Sequence, residues 1–106
     1  MFVKLSNSYQ FVKLSSIVKI ESADDYSVLF LASGESHLTG KSLKEWESRL
    51  PESNFVRIHR FTIINTDHVI RSEPWLRQSF KIYMNTLKEP VTLSRRFFHM
   101  IREKMG

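Results

Sequence analysis

The residues best suited to chemistry in this chain lie in Phe55–Asn65, FVRIHRFTIIN, and in Ser94–Arg96, SRR. In the first stretch Phe55, Ile58, Phe61, Ile63 and Ile64 call for burial, while Arg57, His59 and Arg60 call for water or an anion. Both stretches set paired cations at the end of an apolar run, where a loop would present them, and loops are where binding residues concentrate. The planar fork of arginine suits phosphate oxygens and guanine edges better than the point charge of lysine does. The competing expectation is that Arg57 and Arg95 merely pair with Glu21, Asp24 or Asp25 in surface bridges worth little.

Other chemistries find less support. No two of His37, His59, His68 and His99 share the close helical spacing of metal-binding pairs, and carboxylates are sparse near them, so no metal site is expected. His59 and Asp67 suggest an acid–base pair, yet no serine or carboxylate stands in a recognisable nucleophile context. With glycine only at Gly34, Gly40 and Gly106, there is no phosphate-cradling loop. Neither catalysis nor a cofactor is expected.

The charge distribution agrees with an anionic partner. The chain of 106 residues carries a formal net charge of +5. Residues 1–53 hold six Lys/Arg against seven Asp/Glu, whereas residues 54–106 hold ten against four, seven of the ten being arginine. Such asymmetry suggests nucleic acid or an anionic surface; a solvated basic face is the plain alternative. An apolar content of 42% is that of a folded domain, and this length suits one. There is no cysteine, which excludes disulfides and thiolate metal sites and fits a reducing compartment. No apolar run reaches the roughly 20 residues that span a bilayer, and the N-terminus lacks a signal-peptide core, so a soluble cytoplasmic protein is expected.

The elements that must position the cations read mostly as strands. Phe2–Leu5 and Phe11–Leu14 form a hairpin or two edge strands around the connector SNSYQ. Ile17–Ile20 alternates and leads into the acidic loop ESADD; Tyr26–Leu31 is a strand closed by a turn at Ala32–Gly34, with Glu35–Thr39 returning beside it. Ser42 and Glu45 have capping-box spacing, and Leu43, Trp46 and Leu50 make one apolar stripe of a helix that Pro51 stops. Phe55–Ile58 reads as a strand, and Phe61–Asn65 as a second strand or a tight helical turn. Val69–Ser72, Ser79–Met84 and Val91–Leu93 follow as strands, with Trp75 in the linker EPWLRQ expected in the core. From Arg95 the spacing is helical, with Phe97, Met100 and Ile101 on one side. The expected fold is mainly β: small antiparallel sheets with one or two short helices in a single domain over 1–106.

Four segments in order, IVKIESADDYSVLFL, SLKEWESRLP, FVRIHRFTIINTDHV and VTLSRRFFHMI, resemble the LytTR-type DNA-binding domain, an output module of many bacterial response regulators. The resemblance covers roughly residues 5–103. It implies an elongated β fold that inserts loops, not a recognition helix, into successive major grooves of direct-repeat double-stranded DNA. Carried onto this chain, it implies DNA contacts at Asp25 and Tyr26, at His59 and Arg60, and at Arg95 supported by Arg96. Asn65 matches the family's Val-Asn signature and is expected to hold the following turn through its side-chain amide. It further implies a second copy on DNA, and a receiver domain or membrane-associated regulatory partner; no receiver precedes this chain, so a fragment or a stand-alone member is expected.

Two departures stand out. Asp24-Asp25-Tyr26 occupies the place of a common Gly-Asn-Tyr, and HRFTIIN that of a frequent HRSYIVN, so Phe61 replaces a small polar residue. Two other classes predict different surfaces. A single-stranded nucleic-acid binder would expose Phe30, Phe80 or Tyr83 on a strand face. A protein-interaction module would expose Trp75 and Phe97–Phe98.

Overall fold

The computed structural model describes the backbone of residues 2–5 and 8–105 and the side chains of residues 9–103. It is elongated, with principal extents of 43 × 24 × 24 Å. Among the described residues, ten strands form two antiparallel sheets. In chain order the first seven are β1 (Phe2–Leu5), β2 (Ser8–Phe11), β3 (Ile17–Ala23), β4 (Tyr26–Leu31), β5 (Ser36–Thr39), β6 (Phe55–His59) and β7 (Thr62–Asn65). They pair in the order β2-β1-β5-β4-β3-β7-β6. The remaining strands β8 (Val69–Pro74), β9 (Ser79–Met84) and β10 (Val91–Ser94) form a second sheet in the order β10-β9-β8. The α-helices among the described residues are α1 (Leu43–Arg49) and α2 (Arg95–Met105).

The large sheet lies between two hydrophobic layers, and this explains which strands lack alternation. On one face Ile17, Ile20, Leu29, Phe55 and Ile63 pack against Leu43, Trp46 and Leu50 from and beside α1. On the other, Val18, Val56, Ile58 and Ile64 meet Ile82, Met84 and Leu93 of the second sheet and Ile101 of α2. A strand buried on both sides needs apolar residues at successive positions. β7 is accordingly buried throughout: Thr62–Asn65 resolves as strand, not helical turn, and Phe61 falls in the turn before it. Bulges between Ile17 and Lys19 and between Arg57 and His59 shift the registers of β3 and β6.

Local signals set the rest. The Ser42 Oγ accepts the Glu45 N–H at 3.2 Å and caps α1. Trp46, fully buried, donates its indole N–H to Ser27 Oγ at 2.9 Å. Ser27 Oγ also bonds Thr39 Oγ1 at 2.8 Å and the Lys41 carbonyl at 2.6 Å, tying β4, β5 and the approach to α1 together. Asn65, with no exposed surface, accepts the Asp67 N–H at 2.9 Å and donates to the Ile17 carbonyl at 2.9 Å. It holds the following turn, as expected, and fastens it to the start of β3.

Several sequence expectations need correction. The segment before β3 is a hairpin whose second strand starts within the expected connector and ends at Phe11; Leu14–Ser16 is a 3-10 turn. Ser6 and Asn7 of that connector lie outside the described residues. Phe61 is 51% exposed because its neighbours His59 and Thr62 pair, leaving Arg60–Phe61 as a two-residue hairpin tip. Trp75 is 49% exposed at the tip between β8 and β9, beyond the reach of either core. In α2 the stripe is rotated from the expected one. Phe98 stacks on Phe80, centroids 3.8 Å apart, one turn from buried Ile101, which leaves Met100 exposed.

Candidate nucleic-acid interface

Strand pairing decides which cations meet. β3 and β7 pair through Lys19–Ile64, Ile20–Ile63 and Glu21–Thr62, and the Ser22 N–H donates to the Phe61 carbonyl at 2.9 Å. The β3–β4 turn and the β6–β7 tip therefore emerge side by side at one end of the sheet. Between them lies an open cleft of about 510 Å³, lined by Asp24, Ser42, Lys44, Arg57, Arg60 and Phe61 among others. Lys44 and Asp24 thus join the predicted set. The helical spacing of Lys44 placed it off the apolar stripe, but only the α1 packing sets it opposite Arg60.

The β6–β7 tip is internally braced. The Arg57 guanidinium donates to the Arg60 carbonyl at 2.8 Å and reaches Glu47 of α1 at 3.5 Å. Arg57 is thereby spent on holding the tip, and its partner is Glu47 instead of Glu21, Asp24 or Asp25. The His59 Nδ1 accepts the Phe61 N–H at 3.1 Å, so the neutral ring carries its proton on Nε2, a donor available to a ligand. The Arg60 guanidinium lies over the Phe61 ring at 4.7 Å, a cation–π contact that orders an otherwise exposed arginine. The bulge in β6 falls immediately before His59, where it re-aims the strand end.

In the β3–β4 turn Ala23 pairs with Tyr26, leaving Asp24–Asp25 as the tip. Asp24 has φ +56°, the left-handed region that glycine enters without steric cost. This is the position where the resembling pattern carries glycine. Asp25 and Tyr26 are exposed, Tyr26 by 53%.

Arg95 and Arg96 sit elsewhere, exposed on the first turn of α2. Ser94 Oγ accepts the Phe97 N–H at 3.4 Å and caps the helix. That turn holds no acid, so both cations sit against the positive end of the helix dipole, an arrangement that an anion would relieve. Among the described residues no hydrogen bond, ion pair or ring contact joins Arg95 or Arg96 to either hairpin tip, and neither they nor Arg60 has an ion-pair partner.

The surfaces required by the other classes are occupied or incomplete. Lys19 covers Phe30 at 4.6 Å, Arg71 covers Tyr83 at 3.9 Å, and Phe98 covers Phe80. Of the expected protein-docking anchors, Phe98 is spent on that stack and Trp75 remains exposed. His59 and Asp67 lie at opposite ends of the β6–β7 pair, so they form no acid–base couple. Among the described residues no cluster of three potential metal ligands occurs, and no helix is long and apolar enough to cross a membrane.

Comparison with known proteins places this geometry. The chain is 29% identical over 72 residues to the sensory transduction protein LytR of Staphylococcus epidermidis, covering 68% of this chain and 28% of that one. It is 30% identical over 71 residues to the transcriptional regulatory protein YpdB of Escherichia coli K12, covering 67% and 29%. The matched stretch thus spans less than a third of these curated relatives. Among solved structures, a LytTr DNA-binding domain from Bacillus cereus superposes with a TM-score of 0.80 at 24% identity, covering all of this chain and 95% of that one. The family model of the LytTr DNA-binding domain matches residues 7–106, nearly the full length, and the chain belongs to that family.

Proposed function

We propose that this chain is the DNA-reading module of a bacterial transcription regulator, binding double-stranded DNA sequence-specifically through loops in successive major grooves of a direct-repeat site. The observation that carries the reading is the β3–β7 pairing, which brings the Asp24–Tyr26 turn and the unpaired Arg60 to one edge. Arg60 and Arg95 hydrogen-bond guanine O6 and N7 or adjacent phosphates, and His59 Nε2 donates beside Arg60. Tyr26 and Asp25 contact the same groove as Arg60, with Asp25 suited to a cytosine amine. Arg96 and the remaining basic residues of the second half supply salt-sensitive backbone affinity.

Size supports two grooves per domain. Major grooves on one side of B-DNA recur about every 34 Å, and the 43 Å long axis can span that interval. Arg60, at the β6–β7 tip, and Arg95, at the start of α2, then serve different grooves. Two copies on a direct repeat gain affinity through the shared duplex, and a receiver domain or membrane-associated partner supplies the regulatory input.

Selection of bound duplexes from a random pool tests the proposal. A direct-repeat consensus is expected; no enrichment, or preference for single strands in competition, overturns it.

A further inference from the structure

We propose that the β8–β9 turn, Trp75–Gln78, is an additional DNA contact flanking Arg95, with Arg77 on a backbone phosphate and Leu76 against the adjoining deoxyribose. This rests on the DNA-reading function above. Three observations carry it. The first is register: Ser79, which closes the turn, pairs with Ser94, the residue before Arg95. The tip and the start of α2 are therefore neighbours at the same end of the second sheet.

The second is composition. Leu76 is 69% exposed and Trp75 49%, an apolar pair at a place that buries nothing. Exposed Arg77 and the Lys81 ammonium, 3.4 Å from the centroid of the Trp75 ring, flank it. Among the described residues Arg77 has no ion-pair partner. An apolar tip ringed by cations, continuous with two more at Arg95 and Arg96, fits a polyanion with an apolar sugar edge and disfavours a neutral partner.

The third is backbone conformation. Arg77 and Gln78 both adopt left-handed geometry, with φ +53° and +64°. Neither residue enters that region without cost. The turn is nevertheless fixed, by the Trp75 N–H on the Ser79 carbonyl at 2.8 Å and by Ser79 Oγ on the Leu76 carbonyl. A shape held against its own strain, with its largest side chains outward, presents those side chains in one orientation.

The test uses the whole chain and a duplex obtained by selection, with Arg77→Asn as the main variant because asparagine tolerates the left-handed turn. Arg77→Asn is expected to weaken binding about 3- to 10-fold, to flatten the dependence of log K on log salt by about one, and to shorten the footprint beside the bases protected by Arg95. Leu76→Ser is expected to weaken binding with no change of salt slope. Unchanged affinity, slope and footprint for both variants, while Arg95→Ala loses specific binding, overturn this contact and leave the DNA-reading function standing. Failure of the selection to enrich any duplex overturns that function itself, and this contact with it. If Leu76→Ser instead abolishes a self-association seen by sedimentation and leaves DNA binding intact, the turn joins copies of this chain and the proposal falls.

Discussion

The side-chain amide of Asn65 donates to the Ile17 carbonyl, 48 residues earlier in the chain, at 2.9 Å and inside the core. One residue thereby fixes where β7 ends and where β3 begins, the two strands whose pairing sets the candidate reading tips together. Asn65→Ala removes the amide's bond to the Ile17 carbonyl and the brace on the Asp67 N–H. A loss of about 2–3 kcal/mol is expected in urea unfolding. Asn65→Asp should be worse, because a carboxylate would face the same carbonyl. Equal stability of Asn65→Ala and the parent would contradict the latch.

The Trp46–Ser27 bond joins α1 to β4 with the same economy. Trp46→Phe keeps most of the apolar contact but deletes the donor, and is expected to cost about 1–3 kcal/mol. Trp46→Ala adds a cavity and should cost about 3–5 kcal/mol. Chemical denaturation of both variants separates the hydrogen bond from the packing.

Asp24 combines an uncommon backbone conformation with an acidic charge in the cleft that Arg60 lines. Asp24→Gly should stabilise the fold by about 1 kcal/mol and tighten DNA binding, since it removes both strain and phosphate repulsion. Thermal unfolding and a binding titration read the two effects separately. Weaker binding would mean that Asp24 itself contacts a base.

Phe61 offers a test of preorganisation. It is half outside the protein, so Phe61→Ser should change stability little. It also supports the Arg60 guanidinium at 4.7 Å, and its loss should weaken DNA binding by about 0.5–1 kcal/mol. Unfolding and binding measured on the same variant must diverge; a large stability loss with unchanged binding would reverse the assignment.

How far the fold could be read in advance depended on whether a residue's fate was local. The α1 cap, its Leu43–Trp46–Leu50 stripe and most strand positions followed from neighbouring residues alone, and the Asn65 turn from the family resemblance. Phe61, Trp75 and Met100 were expected inside because they are large and apolar, and each lies exposed for a non-local reason. Strand register made Phe61 a hairpin tip, the second sheet ended before Trp75, and the Phe98–Phe80 stack set the rotation of α2. The two-sided burial of β7 hid the alternation that distinguishes strand from turn. In the candidate site the cations themselves were plain, whereas the neighbours that orient them were not. Glu47 beneath Arg57 and Lys44 opposite Arg60 depend on how α1 docks, which no spacing within α1 specifies.

The most direct measurement is equilibrium titration of Arg60→Ala and Arg95→Ala against the selected duplex and a scrambled one, across a salt series. Each variant should lose about 1–3 kcal/mol on the selected duplex and far less on the scrambled one, relaxing preference at different base positions. Uniform weakening on both duplexes would mark the arginines as phosphate contacts alone. Unchanged affinity for the selected duplex in both variants would contradict the account.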